Sequence, residues 1–250
     1  MLAEALAGRS AVDGGWWAEL ADLATEVIVD LDGIVQGVLA TAVRPRDGPG
    51  VLLWCHGRED PAIVSALVGR AIERLADRPM LHAFDFASAL SLGLEALPVR
   101  HRASTARALR EAGFTGRDLW RYAHRTLPAP EVPADAAAVV TSCQDPVGWR
   151  IERRDDGQLV GEVLVTTPVQ RIGLLSWISV EPAARGHGLA RPLLGRALEV
   201  LSDHGAREVI LYVDDDELGG ERDRTAANRL YDTSGCTEVD RLHSYTRPAG

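Results

Sequence analysis

The sequence contains no lysine, so all of its fixed positive side-chain charges are arginines. Lysine-dependent mechanisms such as Schiff-base chemistry are therefore excluded, whereas arginine suits bidentate contacts with phosphate. Cysteine is also scarce: Cys55, Cys143 and Cys236 stand far apart, without the spacing of metal ligands. We therefore expect no metal site, reduced thiols and a cytoplasmic protein.

Long apolar runs are absent as well. Runs such as residues 50–55 and 208–213 have the length of a strand, far short of the roughly 20 residues that span a bilayer. Residues 1–9 lack the layout of a secretory signal. The net charge of −9 argues against binding to nucleic acid, because proteins bind its phosphate backbone through clustered positive charge. We expect a small-molecule or peptide partner, no nucleic acid, no membrane, and a monomer or homodimer.

What the sequence does contain is an internal repeat. Four landmarks recur in the same order at offsets of 122 to 126 residues. The pairs are the D-G-x-x-x-G patterns beginning at Asp32 and Asp156, the apolar runs ending at Trp54 and Trp177, the Gly-Arg-Ala triplets at Gly69 and Gly195, and the Gly/Asp spacings beginning at Gly113 and Gly235. Each D-G pattern is typical of a hairpin turn. The chain therefore predicts two similar halves.

The segment T-L-P-A-P-E-V-P-A-D at 126–135 has three prolines and no apolar period, which favours an extended linker. We predict domains at 1–126 and 136–250, joined by a linker at 127–135. Each domain is predicted to be α/β (α+β), with the order strand, hairpin, two longer strands, helix, strand, helix and final hairpin. The second-half elements are expected at 149–154, 159–167, 172–180, 189–203, 208–214, 224–233 and 238–247. Residues 136–140 would add a short strand, and residues 2–23 would be mainly helical.

The second half carries a glycine-rich turn, Arg185-Gly186-His187-Gly188-Leu189-Ala190, between a predicted strand and a predicted helix. Such a turn presents free backbone N–H groups and the positive end of a helix dipole, which suits a pyrophosphate. Two nucleotide fingerprints fail on single residues: G-x-G-x-x-G needs a third glycine where Arg191 stands, and G-x-x-x-x-G-K-[ST] needs a lysine.

The pattern V-x-x-x-x-R-G-x-G-x-A from Val180 to Ala190 resembles the signature of the GCN5-related N-acetyltransferase (GNAT) family. The later run Ala227-Asn228-Arg229-Leu230-Tyr231, followed by Gly235, resembles that family's N-x-x-A-x-x-L-Y-x-x-x-G-F helix. The resemblance is strong over residues 149–247, and the repeat extends it weakly to the first half. It therefore implies two tandem domains of this fold, each with a mixed, mostly antiparallel sheet flanked by helices.

The resemblance also implies roles for individual residues. The backbone of Ile178, Ser179 and Val180 would pair with the pantetheine arm of acetyl-CoA. The loop residues Arg185, Gly186, His187, Gly188, Leu189 and Ala190 would hold the pyrophosphate. Tyr231 would protonate the departing thiolate; the alternative is a tyrosine that packs under the sheet.

The sequence departs from the family pattern in two places. Arg224 stands where the family has asparagine, and Asn228, one turn later, is the alternative coenzyme contact. No glutamate lies on the strand before the loop, where some members keep a general base. Asp214 and Glu162 are alternatives, each with a structural role as the competing interpretation. The charged insertion at 215–223 either shapes the acceptor site or is a solvated loop.

The first half lacks both functional elements. It is three residues shorter where the loop should be and holds Glu59 and Asp60 there, and Leu109 stands at the position of Tyr231. We therefore expect a degenerate first copy and one coenzyme site. The predicted function is acetyl transfer from acetyl-CoA to a primary amine by direct attack in a ternary complex. The alternative is a non-catalytic acyl-CoA sensor.

Overall fold

The computed structural model describes residues 20–45, 48–84, 96–144, 146–214 and 224–248. Contacts divide the chain into two compact units. Unit 1 comprises Met1–Trp120 and Asp240–Gly250, and unit 2 comprises Arg121–Val239.

The described part of unit 1 has five strands and two helices, followed by the start of a sixth strand. They are β1 (Ala21–Val29), β2 (Val35–Val43), β3 (Gly50–His56), α1 (Pro61–Arg74), β4 (Met80–Ala83), β5 (Leu97–Pro98), α2 (Ala103–Glu111) and the start of β6 (Thr115–Thr126). Helix α1 begins after Asp60, whose carboxylate accepts hydrogen bonds from the backbone N–H groups of Ala62 and Ile63. Its apolar side packs with β2, β3 and α2 in one buried core.

Unit 2 repeats this order with one additional strand at its beginning and, among the described residues, without a counterpart of β5. After β6 come β7 (Val139–Gln144), β8 (Val147–Asp155), β9 (Gln158–Thr166), β10 (Ile172–Val180), a 3₁₀ turn (Pro182–Ala184), α3 (Ala190–Asp203), β11 (Glu208–Asp214), α4 (Thr225–Thr233) and β12 (Thr237–Pro248). Leu194, Leu198 and Leu201 follow the helical period and bury one side of α3 against β9, β10 and β11. The sheet of unit 2 runs in the order β6-β11-β10-β9-β8-β7.

The repeat is visible in the strand pairing itself. Strand β3 pairs antiparallel with β2 and parallel with β4, and β10 does the same with β9 and β11. A β-bulge interrupts both antiparallel pairs at the same place, next to the pair Ala40↔Trp54 in unit 1 and the pair Leu164↔Trp177 in unit 2. The predicted fold class, tandem mixed and mostly antiparallel sheets flanked by helices, is confirmed.

Several predicted boundaries change. Residues 21–23 belong to β1 instead of a helix, and residues 2–19 lie outside the described part of the chain. The predicted final hairpin is one unbroken strand, β12, because no turn residue interrupts its apolar alternation. The short strand predicted at 136–140 is β7, Val139–Gln144.

Because of strands β6 and β12, the two compact units do not correspond to the first and second halves of the sequence. Each strand is 12 residues long, and each begins in one unit and ends in the other. The borders of the compact units lie at 120/121 and 239/240, and the domain limits at 126 and 136 remain a prediction.

The proline-rich segment itself packs on α3. Val132 and Asp135 are buried, the Asp135 N–H donates to the Pro192 carbonyl, and Arg153 binds the Asp135 carboxylate at 2.9 Å. Gly195 of α3 permits this approach, because a Cβ atom there would overlap the Pro133 carbonyl oxygen.

The repeated glycines Gly69 and Gly195 give a matched stability test. We expect Gly195→Ala to lower the free energy of unfolding by roughly 1–3 kcal/mol through overpacking. Gly69 in α1 has open space around the same position, so Gly69→Ala should raise that free energy by about 0.5–1 kcal/mol through helix propensity. Urea unfolding followed by circular dichroism measures both; equal shifts would contradict the packing of the segment on α3.

Candidate active site

The turn between β10 and α3 is open to a ligand. Gly186 and Gly188 have φ angles of +81° and +77°, a conformation that strains other residues. No heavy atom lies within 4 Å of the place where a Cβ atom of either glycine would stand. Residues 185–188 are exposed, and Leu189 and Ala190 are half-buried. The glycines thus form a turn whose backbone a ligand can approach closely.

The first turn of α3 has no side-chain cap. Leu189 at its N-cap is in the helical region and makes no capping hydrogen bond. The first N–H groups of a helix have no partner within the helix, and the dipole places positive charge there. Beside them, the Arg185 Nε donates to the Val180 carbonyl at 3.0 Å, and the His187 Nδ1 lies 3.3 Å from the Ala184 carbonyl. The two side chains are therefore held against the turn that would bind an anion.

Strands β10 and β11 separate before they reach this turn. Their parallel pairing runs from Ile172↔Glu208 to Leu175↔Leu211 and ends there. Residues Ile178, Ser179 and Val180 continue to pair with β9. Within the described residues, their other backbone edge has no strand partner. The Val180 carbonyl already accepts from Arg185, so the part of this edge offered to an extended ligand chain is at Ile178 and Ser179.

Tyr231 lies in α4 within the core of unit 2, against which Ile178 and Val180 also pack. It is 4% exposed, and burial raises the pKa of its hydroxyl well above the usual value. The hydroxyl therefore keeps its proton at neutral pH, as a general acid must.

Asn228, one turn before Tyr231, is held by a residue that the sequence did not reveal. Its Oδ1 accepts a hydrogen bond from Arg121 Nη1 at 2.9 Å. The same guanidinium binds Asp232 at 2.5 Å and Glu238 at 3.1 Å. Arg121 sits in β6, more than 100 residues from these partners, so no local pattern predicts the contact. Because the Asn228 oxygen accepts this hydrogen bond, the side-chain amide N–H₂ is the group that can donate to a ligand.

The two candidate bases are placed differently. Glu162 is half-buried, faces Ser179 across the β9–β10 pair, and accepts a hydrogen bond from Arg150. Asp214 ends β11, and its side chain lies outside the described part of the structure, as does the insertion at 215–223. The base stays unassigned.

In unit 1 the equivalent positions are closed by the protein's own side chains. Asp60 caps α1, where α3 is uncapped. Arg102 donates to the Cys55 carbonyl at 2.7 Å, and Cys55 is the repeat equivalent of Ile178. Although burial alone would raise the pKa of Glu59, hydrogen bonds from Arg102 and Thr105 lower it, so a carboxylate stands near the helix start.

Comparisons with known proteins agree with this geometry. Residues 117–232 match the model of the Acetyltransferase (GNAT) family. This segment is therefore similar to that family, in agreement with the resemblance expected for the second half of the chain.

Two curated relatives are both named mycothiol acetyltransferase. The protein of Beutenbergia cavernae is 37% identical over 91 residues, which are 36% of this chain and 28% of the relative. The protein of Thermomonospora curvata is 38% identical over 106 residues, 42% of this chain and 33% of the relative. The match spans about a third of these relatives, so it concerns one part of each.

Two solved structures share the fold of this chain over most of its length. A tandem GNAT protein from the clavulanic acid biosynthesis pathway has a TM-score of 0.61 at 22% identity, covering 93% of this chain and 84% of its own. A GCN5-related N-acetyltransferase from Sphaerobacter thermophilus has a TM-score of 0.58 at 17% identity, covering 90% and 80%.

Two further observations concern the described residues. They include no group of three or more histidine, cysteine, aspartate or glutamate side chains arranged to hold a metal ion. None of their helices has the length and apolar character needed to cross a bilayer.

Proposed function

We propose that this protein is an acetyl-CoA-dependent N-acetyltransferase whose coenzyme site lies in unit 2. The observation that carries the proposal is the difference between the two copies. The start of α3 is uncapped and preceded by two exposed glycines in the left-handed region, whereas the start of α1 is capped by Asp60. An open helix start next to a separated strand fits a pyrophosphate joined to an extended arm.

The chemistry assigned to the site is a direct transfer. The neutral amine nitrogen attacks the thioester carbonyl carbon, a C–N bond forms, and the C–S bond breaks. Tyr231 gives its proton to the departing thiolate, and the amine loses a proton to a base or to water. The backbone of Ile178, Ser179 and Val180, the loop from Arg185 to Ala190, and Asn228 are assigned to coenzyme binding.

We assign unit 1 to a degenerate copy that supports unit 2 without binding coenzyme. Its helix start and its strand edge already have internal partners, Asp60 and Arg102, so a phosphate or an amide chain would have to displace a carboxylate or break a hydrogen bond. We therefore expect calorimetry with acetyl-CoA to give one site per chain. Two sites of comparable affinity would contradict the assignment.

Thiol release from acetyl-CoA with a panel of primary amines tests the activity. Because the relatives are mycothiol acetyltransferases, the panel includes mycothiol-related amines beside amino acids, polyamines and peptide N-termini. Amine-dependent thiol release, with the acetyl group found on the amine by mass spectrometry, is the expected result. Calorimetric binding of acetyl-CoA without release for any amine would favour the acyl-CoA sensor.

A further inference from the structure

We propose that the acceptor binds on the face of the unit 2 sheet that carries Trp177 and Glu162, and that the acceptor is a primary amine that also contains a ring. The inference rests on the proposed coenzyme site. It adds the place where the second substrate binds and the chemical class of that substrate.

The first support is a comparison of the same sheet face in the two copies. In unit 1, the face that includes Ala40, Ala42 and Leu53 is apolar and buried, with exposures of 1%, 0% and 6%. The repeat offset and the shared bulge place Leu164, Thr166 and Ser176 at the equivalent positions of unit 2, all half-buried. A face closed by apolar packing in one copy is thus accessible in the other.

Trp177 is the feature that this open face presents. It is 50% exposed, whereas Trp54 at the matching position of unit 1 packs against a buried cluster. Trp177 is the one aromatic residue among the large exposed apolar side chains of the described residues. The indole of Trp177 thus offers a large flat apolar surface that a ring can cover.

The surroundings of Trp177 are polar. It stands directly opposite Leu164, and Ser179 stands opposite Glu162 on the same face. Glu162 is bonded to Arg150, yet a carboxylate has more acceptor positions than one donor fills. Val163 and Val165, which alternate with these residues, are buried under α3 on the other side of the sheet. The open face thus combines one flat apolar surface with a carboxylate, a hydroxyl and a guanidinium.

The position along β10 connects this face to the reaction. Leu175 is the last residue of β10 paired with β11, and the bulge at Ser176 follows at once. A coenzyme arm that runs along Ile178 to Val180 from the loop would bring its thioester end to this point. Trp177 therefore flanks the place where the acyl carbon would meet the amine.

These features favour a ring over a flexible chain. A ring can lie flat on the indole and loses little conformational freedom on binding, whereas a long chain must be ordered bond by bond. An ammonium group next to the indole and Glu162 is also attracted by the ring face and the carboxylate. We therefore identify the acceptor as a ring-bearing primary amine with polar substituents.

The experiment compares two ring amines, glucosamine and benzylamine, with two ring-free amines, ethanolamine and 1,3-diaminopropane. We expect Trp177→Ala to lower kcat/KM for the ring amines at least about tenfold and to leave the ring-free amines within about twofold. Trp177→Phe should keep most of the wild-type kcat/KM for the ring amines. Val147→Ala removes an exposed apolar side chain from the same sheet and serves as the control, with no expected effect.

A second measurement does not depend on turnover. Saturation-transfer NMR of the four amines, with the protein saturated with coenzyme A, should show contact for the ring amines in the wild type and its loss in Trp177→Ala. Equal effects on ring and ring-free amines, or no contact by any ring amine, would overturn the inference. Failure of the proposed function is distinct, because in the wild type it appears either as no coenzyme binding or as coenzyme binding without thiol release for any amine.

Discussion

We expect Gly188→Asp to raise the dissociation constant for acetyl-CoA by roughly 100-fold or more. The φ of +77° at Gly188 imposes strain on a residue with a side chain, about 1–3 kcal/mol. The new carboxylate would also face the pyrophosphate, with a repulsion of about 1–4 kcal/mol near a protein surface. Since each 1.4 kcal/mol is about a factor of ten in affinity, a combined cost of about 3 kcal/mol gives the expected change. Isothermal titration calorimetry measures the change directly.

Gly157 provides a closely matched control. It also has a φ of +77°, and no heavy atom lies within 4 Å of its Cβ position. It belongs to the turn between β8 and β9 of the same unit, outside the loop from Arg185 to Ala190. Gly157→Asp should bear the same strain and the same added charge, yet leave coenzyme affinity unchanged. If both variants lost affinity equally, the effect would come from folding, and the assignment of the loop would fail.

Much of this arrangement could be predicted because its signals are local. Residues 172–180 and 208–214 form strands with the predicted limits, since their apolar runs end at turn or charged residues. The glycines at 186 and 188 predict a turn of positive φ, which is present. The start of α3 at Ala190 follows from the same glycines, because the helix begins where their conformation ends.

Other features depend on contacts between residues far apart in the sequence. Arg121 reaches Asn228 across 107 positions, and Asp240 is a fully buried carboxylate that accepts hydrogen bonds from the backbone of Arg100 and His101. Arg121 stands in no pattern that distinguishes it from a solvated surface charge. Asp240 belongs to the repeat, but its counterpart Asp118 is exposed, so the repeat does not predict its burial. The packing of residues 127–135 on α3 was missed for a related reason, because proline content indicates conformation but not what the segment contacts.

The loss of the coenzyme site in unit 1 could be predicted in part from local sequence and in part required contacts between distant residues. Glu59 and Asp60 already indicated in the sequence that a phosphate would be repelled there. That Asp60 caps α1, and that Arg102 binds the Cys55 carbonyl, required the structure, because Arg102 enters from a distant helix start. The sequence therefore identified the loss of a site, and the geometry supplies its physical reason.

Tyr231→Phe should lower kcat by about 10²–10⁴-fold while leaving the dissociation constant for coenzyme A within about twofold. The substitution removes one oxygen from a side chain that is 4% exposed and keeps its packing volume, so the coenzyme site should be preserved. The leaving thiolate would then depart without a proton donor. Steady-state thiol release, together with calorimetry on the same preparation, separates the two quantities.

The pH dependence adds a condition that a merely structural tyrosine does not impose. Because burial raises the pKa of Tyr231, its proton is retained through neutral and moderately alkaline pH. The ordinary tyrosine pKa is already about 10. The wild-type kcat should therefore show no decrease from loss of this proton at any pH up to about 10.

Tyr122→Phe is the matched control: Tyr122 is half-buried, stacks on Tyr212 at 5.2 Å between ring centroids, and has a pKa raised by burial. Full activity in Tyr231→Phe, or an equal loss in both variants, would remove Tyr231 from the role of general acid and leave it as part of the core on which α4 rests.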